Sequence, residues 1–228
     1  MIIMSSIPIF NRYARDYDNW YVKHTDTAES EVKAVSMLIP RGLGIEVGVG
    51  SGFFAGRLGI PIGLEPALAM AELARDRGVD VMVGVGESMP LRDSSFDYAV
   101  IIVTICFLDD PRKTLAETLR ILKPGGKLIT CIVPRNSEYG KYYVELGRRG
   151  HRFYSVAHFY TVGEVKDVLE SLGFSVSDKA VAVLSRGVGD YYEDPQVVTL
   201  EEAERFGFAC IELCVNKLLL HQYLTHCQ

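Results

Sequence analysis

The chain alternates short apolar runs with segments in which apolar residues recur every three or four positions. Runs of strand length stand at "GIEVGV", "IPIGLE", "VDVMVGV", "FDYAVIIVTI" and "GKLITCIV". Strands that are apolar throughout predict a mainly parallel sheet with helices on both faces. Right-handed crossovers then give a doubly wound α/β fold, for which we expect seven strands. The last strand, "FGFACIELCVNK", is expected to be antiparallel, because the charged stretch before it leaves little room for a crossover helix.

Polar residues mark where several helices begin. Asp26 stands three residues before Glu29, and Thr161 stands three residues before Glu164. This spacing predicts a capping box, in which the two side chains accept hydrogen bonds from each other's backbone N–H groups. Asp110 precedes a proline and is a candidate N-cap residue for the helix in "DPRKTLAETLRILKPGG".

The length of the chain favours one domain. A chain of 228 residues is long enough for one complete core and short for two. We therefore expect a single domain over residues 1–228, with 1–25 as an N-terminal cap segment. The alternation loosens at 134–160, "PRNSEYGKYYVELGRRGHRFYSVAHFY", which is dense in aromatic and basic residues. We predict that 134–160 is an inserted cap on the substrate side, because insertions at the ligand face commonly carry substrate contacts.

Composition and charge exclude several kinds of partner. A net charge of −5 argues against nucleic acid, because proteins that bind the phosphate backbone need clustered lysine and arginine. The apolar start, "MIIMSSIPIF", is interrupted by Pro8 and is too short to span a bilayer. No basic segment precedes it, as a secretory signal would require. We expect a cytoplasmic protein without a membrane span.

The five cysteines indicate neither a disulfide framework nor a metal centre. Their number is odd, they show no C-x-x-C spacing, and no histidine stands at zinc-finger distance. Four of them lie in apolar runs, where a free thiol behaves as a small hydrophobic side chain. We therefore expect free thiols and no metal.

Glycines cluster directly after the first predicted strand. Gly48, Gly50 and Gly52 are spaced as G-x-G-x-G. Glycine can adopt positive φ there and bring exposed N–H groups close to a ligand. The fingerprint of dinucleotide-binding proteins needs a glycine one residue later, where this chain has Phe53. This departure weakens the interpretation as a nicotinamide-dependent oxidoreductase but leaves it open.

Two acids lie beside this turn. Glu46 stands two residues before the first glycine, where a carboxylate suits an ammonium group and repels a pyrophosphate. Glu65 ends the second strand, from which a carboxylate accepts hydrogen bonds from both hydroxyls of a ribose. A ligand with a ribose at one end and an amino acid at the other satisfies both acids.

The ordered motifs of the chain resemble those of class I S-adenosylmethionine-dependent methyltransferases. The similarity is greatest to the small-molecule branch that includes the ubiquinone and menaquinone methyltransferases. It covers about residues 13–130 and is carried by "YDNWY", "EVGVGSG", "GLEP", "GESMPLRDSSFDYAV" and "LDDPRKTLAETLRILKPGGKL". The resemblance implies a Rossmann-like methyltransferase fold and S-adenosylmethionine as cofactor. It also implies methyl transfer to a small-molecule acceptor by in-line displacement.

The resemblance assigns one group of residues to the methionine end of the cofactor. These residues are Glu46, Gly48, Gly50, Gly52 and Thr104. A second group would bind the adenosine. Glu65 would meet the ribose hydroxyls, and Pro66 and Met89 would cover the faces of the adenine. The backbone around Gly86 and Glu87 would meet the edge of the adenine ring.

The N-terminal segment carries two further aromatic candidates, and two places in the chain depart from the family's pattern. Tyr17 and Trp20 would lie in a segment that closes over the cofactor, or they form an ordinary packing contact between aromatic side chains. Relatives often carry an acid where this chain has Val85, and histidine where it has Cys106 and Phe107. These departures keep open a third interpretation, a protein that binds S-adenosylmethionine without catalysis.

The acceptor pocket is expected in the inserted cap. Its candidate residues are Tyr139, Tyr143, Arg149, His151 and Tyr154. Tyrosines suit a flat or apolar acceptor, whereas arginine and histidine suit an anionic one. The alternative is a solvated helix followed by core aromatics. No catalytic base is assigned, because the methyl group arrives already activated. The identity of the acceptor and the oligomeric state stay open.

Overall fold

A computed structural model describes residues 6–215, and these form one sheet with helices on both faces. The strands are β1 (Gly44–Val47), β2 (Ile62–Glu65), β3 (Asp80–Val83), β4 (Phe96–Ile102), β5 (Leu122–Ile132), β6 (Phe174–Val183), β7 (Gln196–Thr199) and β8 (Phe208–Val215). Their order across the sheet is β3-β2-β1-β4-β5-β8-β6-β7. Residues 216 and 217 of the expected last strand lie outside the described residues.

The helices lie between the strands and at the N-terminal side. They are α1 (Ile7–Arg12), α2 (Ala14–Lys23), α3 (Thr25–Ser36), α4 (Phe53–Leu58), α5 (Leu68–Asp76), α6 (Pro111–Ile121), α7 (Glu138–Arg148), α8 (Val162–Ser171) and α9 (Leu200–Ala203). Short 3₁₀ turns occupy Ile105–Phe107 and Tyr154–Val156. Within residues 6–215, a helix with the length and apolar character needed to cross a membrane is absent.

The doubly wound, mainly parallel architecture is confirmed, and so is the antiparallel last strand. β1 pairs in parallel with β2 and β4, and β8 is antiparallel to both β5 and β6. The predicted count of seven strands is wrong, because β7 adds an eighth at the edge of the sheet. β7 is short and mostly exposed, so its sequence lacks the apolar run that identified the other strands.

Two buried clusters cover the two faces of the sheet. Alternate residues of β4 enter different clusters: Ile101 joins one with Leu115 of α6, and Val100 joins the other with Val35 of α3. This alternation is the consequence of strand geometry, in which successive side chains point to opposite faces. Both faces of the sheet are therefore covered by buried apolar side chains, as the continuous apolar runs predict.

The predicted helix starts have mixed outcomes. The Thr161 and Glu164 capping box forms, and the Asp110 carboxylate accepts the N–H of a first-turn residue of α6. The capping box predicted at Asp26 is wrong. α2 is followed by the single residue His24, which takes the N-cap position of α3 and leaves Asp26 inside the first turn.

Two of the cysteines correct the expectation of free thiols. Cys131 of β5 and Cys210 of β8 are directly opposite each other in register and form a disulfide. They are separated by 79 residues in sequence, and only the pairing of β5 with β8 brings them together. Cys106 and Cys214 are free, and Cys227 lies outside the described residues.

The turn after β1 allows α5 to pack closely. Gly52 has φ +77°, and a Cβ there would stand 2.8 Å from Cα of Ala74 in α5. Gly59, at the end of α4, has a similar φ of +68° but nothing within 4 Å of an added Cβ. A side chain at Gly59 would therefore meet only the strain of a left-handed backbone, whereas one at Gly52 would also overlap with α5.

We expect Gly59→Ala to lower the free energy of unfolding by about 1 kcal/mol, because it forces an alanine into the left-handed region. The separate variant Gly52→Ala should lower the free energy of unfolding by ~1–3 kcal/mol more than Gly59→Ala does, because its methyl group overpacks against α5. Urea denaturation of both variants measures the difference. Equal destabilisation would show that Gly52 is not needed for the packing of α5.

Candidate functional site

A cavity lies at the carboxyl ends of the strands where the strand order reverses between β1 and β4. Ligands of open α/β sheets bind at this switch point. The walls of this first cavity are the turn after β1, the ends of β2 and β4, the loop after β3, and α1 with α2. Nine of the predicted cofactor residues line it: Tyr17, Glu46, Gly48, Gly50, Glu65, Pro66, Gly86, Glu87 and Thr104.

Three of the residues predicted for the cofactor lie elsewhere. Gly52 packs against α5 and does not line the cavity. Met89 is buried in the core, and its N–H donates to the carboxylate of Glu117. Val85 was not among the predicted cofactor residues, since relatives often have an acid there, but its side chain does line the cavity. Trp20 lines a second, neighbouring cavity and stacks on the ring of His24 with 4.6 Å between centroids.

The Glu65 carboxylate holds the turn after β1 to the start of α5. One oxygen accepts the N–H of Gly50 and the other accepts the N–H of Ala67, each at 2.9 Å. Burial raises the pKa of Glu65 to about 7, although these two N–H groups oppose the rise. A carboxylate oxygen can accept more than one hydrogen bond, so both oxygens retain capacity for donors of a ligand in the cavity.

Glu46 is buried in β1 at the bottom of the same cavity. Its Oε2 atom has no hydrogen-bond partner among the described residues. Burial raises the pKa of Glu46 well above its usual value, the N–H of Ala55 opposes this, and the nearby Glu65 adds to it. An orphaned buried oxygen is unfavourable unless a ligand supplies a donor.

The N–H groups of the glycine turn are engaged within the protein, which corrects the expectation that they are exposed. Gly48 and Val49 both donate to the carbonyl oxygen of Leu64, at 2.8 and 3.0 Å. Gly50 donates to Glu65. A pyrophosphate needs such donors free, so the N–H groups of Gly48, Val49 and Gly50 are not available to cradle one.

Thr104 packs directly on the turn. A Cβ at Gly48 would stand 2.2 Å from Cγ2 of Thr104, so only glycine fits there. The Thr104 hydroxyl lies within hydrogen-bond distance of the carbonyl oxygens of Gly48 and Ile102. The preceding residue, Val103, has φ +49°. Such a conformation is rare for a β-branched residue and is found where a site requires it.

The N-terminal helices α1 and α2 form one wall of the first cavity. Ser6 Oγ donates to the carbonyl oxygen of Phe107 at 3.0 Å. The ring of Phe10 packs edge-on against Tyr17 and Phe107, with centroids 5.2 and 5.0 Å apart. Asp18 of α2 forms an ion pair with the Arg77 guanidinium at 2.9 Å. These contacts join residue 6, α1 and α2 to both sides of the cavity.

A second cavity of about 560 Å³ adjoins the first. Its walls are α2, α3, α7, the 3₁₀ turn at Tyr154–Val156 and residues 188–190. The residues common to both cavities are Tyr17, Tyr21, Val103 and Phe107. Tyr21, which the sequence did not identify, stacks on Phe53 with 3.9 Å between ring centroids.

Four of the five predicted acceptor residues line this second cavity: Tyr139, Tyr143, His151 and Tyr154. The ring of Tyr154 stacks on those of Tyr143 and His151, with centroids 4.4 and 4.5 Å apart. Arg149 does not line the cavity. Its side chain is 73 % exposed and forms an ion pair with Glu145 one turn earlier in α7.

The hydroxyl of Tyr139 is fully used by the protein. It donates to the carbonyl oxygen of Gly189 at 2.6 Å and accepts the N–H of the same residue at 3.0 Å. Thr27 of α3 also donates to this carbonyl, at 3.1 Å. Tyr139 therefore positions residues 188–190 over the cavity instead of offering its hydroxyl to an acceptor.

Glu31 is a site residue that the sequence did not identify. It lies on α3, faces the second cavity and is 6 % exposed. Burial raises its pKa to about 8. The available signal was its spacing, because Glu31 stands three residues after Ala28 and four before Val35, on the apolar face of the helix. An acid on that face is the kind of exception that marks a site.

Comparison with known proteins agrees with the geometry of the first cavity. Residues 45–130 match the family model described as "Methyltransferase domain". A solved Thermotoga maritima structure, of a SAM-dependent methyltransferase described as a possible histamine N-methyltransferase, is 39% identical with a TM-score of 0.86. The alignment covers 92% of this chain and 100% of that one.

No cluster of three or more His, Cys, Asp or Glu side chains in the described part of the chain could hold a metal.

Two curated relatives extend the match over most of the chain. An uncharacterised protein of Methanocaldococcus jannaschii is 39% identical over 166 residues, which are 73% of this chain and 80% of the relative. An uncharacterised protein of Mycobacterium tuberculosis is 37% identical over 172 residues, which span 72% of this chain and 59% of that protein. The chain belongs to the class I S-adenosylmethionine-dependent methyltransferases.

Proposed function

We propose that the chain transfers a methyl group from S-adenosylmethionine in the first cavity to a small molecule in the second. The observation that carries this proposal is the contact between the two cavities. Tyr17, Tyr21, Val103 and Phe107 line both of them. A donor in one cavity and an acceptor in the other would therefore be neighbours, and in-line displacement requires such proximity.

The residues of the first cavity fit the cofactor. Glu46, with its orphaned oxygen, suits the ammonium group of the methionine end. Glu65 suits the ribose hydroxyls, and Pro66, Val85 and the backbone at Gly86 suit the adenine. When bound, S-adenosylmethionine supplies a methyl group on a sulfonium, which is an electrophile that needs no activation by the protein. The task of the chain is to align the acceptor and exclude water.

The chain itself offers no catalytic thiol beside the shared residues. Burial raises the pKa of Cys106 to about 12. Its thiol lies against the carbonyl oxygen of Val103 at 3.4 Å. A neutral buried thiol is a poor base and a poor nucleophile. Cys106 therefore serves as part of the cavity wall.

The names of relatives point to different acceptors. A demethylmenaquinone methyltransferase of Renibacterium salmoninarum is 36% identical over 72 residues. A malonyl-[acyl-carrier protein] O-methyltransferase of Hahella chejuensis is 29% identical over 213 residues. The Thermotoga maritima neighbour is described as a possible histamine N-methyltransferase. Two of these names specify different acceptor atoms, an oxygen and a nitrogen, so the acceptor has to be sought in the residues of the second cavity.

A nicotinamide-dependent oxidoreductase is disfavoured by the same geometry. The N–H groups of Gly48 and Gly50 are engaged within the protein and cannot bind a pyrophosphate. Glu46 would add a repulsive carboxylate beside it. We therefore expect isothermal titration calorimetry to detect binding of S-adenosylhomocysteine and none of NAD. Binding of NAD alone would refute the methyltransferase.

Glu65→Ala should weaken binding of S-adenosylhomocysteine by roughly 10–150-fold, because hydrogen bonds to a charged group contribute ~1.5–3 kcal/mol. Calorimetry on a variant that circular dichroism shows to be folded gives the comparison. Glu72→Gln, an exposed acid on α5, is the matched control and should bind like the wild type. Unchanged affinity in folded Glu65→Ala would contradict the assignment of the ribose site.

Affinity for S-adenosylhomocysteine should rise with pH. In the free protein burial raises the pKa of Glu65 to about 7, whereas ribose hydroxyls favour the ionised carboxylate. Binding at acid pH must therefore release a proton, which weakens it. We expect the dissociation constant to be about tenfold larger at pH 6 than at pH 8, measured by calorimetry. Equal affinity at both pH values, or tighter binding at pH 6, would contradict the role of Glu65.

A broad screen of acceptors tests whether the chain is catalytic. Wild-type protein with S-adenosylmethionine should form S-adenosylhomocysteine when a suitable small molecule is present, as measured by mass spectrometry. Formation should depend on the acceptor, because methyl transfer needs the nucleophile that the acceptor supplies. A protein that binds S-adenosylhomocysteine but never forms it with any acceptor would be a binding protein without catalysis.

A further inference from the structure

Glu31 reaches the second cavity from α3, and its carboxylate has no partner there. The side chain is 6 % exposed, and burial alone raises its pKa. It accepts no hydrogen bond and forms no ion pair within residues 6–215. A buried carboxylate without a donor or a cation is unfavourable. A ligand that supplies the cation removes this penalty.

The other acids of the cavity wall already have partners. Asp16 forms an ion pair with Arg152, which also covers the ring of Tyr13 at 4.5 Å. Asp190 accepts the N–H of Thr27 at 3.0 Å. Neither carboxylate is comparable to Glu31, because each is compensated within the protein.

The basic residues of the wall do not compensate Glu31 either. The ring of His24 is bonded through Nδ1 to a backbone carbonyl of α2 at 2.9 Å. Burial and the neighbouring Arg152 lower the pKa of His151, so its ring is neutral near pH 7. Lys23 is exposed. A cationic group of a ligand would therefore be the partner that favours the ionised form of Glu31.

The rest of the wall is aromatic and suits an organic cation. The tyrosines that face the cavity are Tyr17, Tyr21, Tyr139, Tyr143 and Tyr154. Burial raises the pKa of each of them, so all are neutral phenols. Faces of such rings attract a cation within about 6 Å of the centroid. The volume of about 560 Å³ lies within the range of small-molecule pockets.

We propose that the methyl acceptor is an organic amine, whose ammonium group binds the carboxylate of Glu31 inside this aromatic wall. The inference rests on the proposed function, since it names the acceptor of that same site. An aromatic or aliphatic body of the amine packs against Tyr143 and Tyr154, and the nitrogen points toward α3. A neutral alcohol or an anionic acid supplies no cation to Glu31 and therefore binds more weakly than the amine.

Glu31 also has the chemistry to accept the proton that methylation requires. One N–H proton of the ammonium passes to the carboxylate, which becomes a neutral acid and leaves a lone pair on nitrogen. That lone pair forms the new N–C bond to the methyl carbon, while the C–S bond breaks and its electron pair stays on sulfur. The products are the methylated ammonium and the neutral thioether, and the proton on Glu31 leaves to solvent.

Binding of matched probes tests the proposal without turnover. Phenethylamine, 2-phenylethanol and phenylacetate share one ring and differ in charge. We expect wild-type protein saturated with S-adenosylhomocysteine to bind the amine at least about tenfold more tightly than the alcohol. In Glu31→Gln the ratio of the dissociation constants of the alcohol and the amine should fall at least about tenfold. Pentylamine and tryptamine extend the series to other shapes, and calorimetry measures all of them.

The controls separate the failure of this inference from that of the proposed function. Asp26→Asn, an exposed acid on the same helix, should retain the preference for the amine. Binding of S-adenosylhomocysteine without binding of any of the three amines overturns the amine and leaves the methyltransferase intact. A preference that survives in folded Glu31→Gln overturns the role of Glu31. Failure of wild-type protein to bind S-adenosylhomocysteine refutes the proposed function and with it this inference.

Thermal stability gives a second readout that needs no turnover. Because burial raises the pKa of Glu31 from 4.5 to about 8, its ionisation destabilises the folded state as pH rises through that interval. Glu31→Gln cannot ionise, so its Tm should exceed that of the wild type at pH 8.5 and approach it at pH 4.5. Phenethylamine should raise the Tm of the wild type and not of Glu31→Gln. The opposite order of Tm at pH 8.5 would show that Glu31 is compensated within the protein.

Discussion

The burial of three carboxylates without a basic partner is the constraint on which both cavities depend. Glu46 and Glu65 lie in the first cavity and Glu31 in the second, and no described cation neutralises any of them. The ionised forms of such groups are unfavourable in the ligand-free protein, and burial raises the pKa of all three. They suit a donor that carries an ammonium and a sulfonium, and an acceptor that carries an ammonium. The negative charge of the ionised acids and the positive charge of the proposed ligands are thus complementary.

The sheet topology places these acids. Parallel strands end at the same edge, so the end of β1 and the end of β2 bring Glu46 and Glu65 to one cavity. Glu65 then fixes the turn by accepting the N–H of Gly50 and the start of α5 by accepting that of Ala67. α3 packs on the neighbouring part of the sheet and carries Glu31 to the adjoining cavity.

Local patterns allowed the sequence to predict most of the fold and most of the first cavity. Apolar runs located the buried strands, and the glycine turn with its acids located the switch point. Features that depend on distant register were missed: the edge strand β7 has no apolar run, and Cys131 meets Cys210 only through the pairing of β5 with β8. Arg149 was placed in the cavity wrongly, because residue type alone does not tell which face of α7 its side chain occupies. Glu31 was missed although its spacing on the apolar face of α3 was a usable signal.

The crystal structure of the chain with S-adenosylhomocysteine bound tests most directly whether the two cavities are a donor site and an acceptor site. The account predicts that the ribose hydroxyls contact Glu65 and that the sulfur faces the second cavity beside Tyr17 and Val103. A ligand whose sulfur points away from the second cavity, or whose ribose lies far from Glu65, would contradict it.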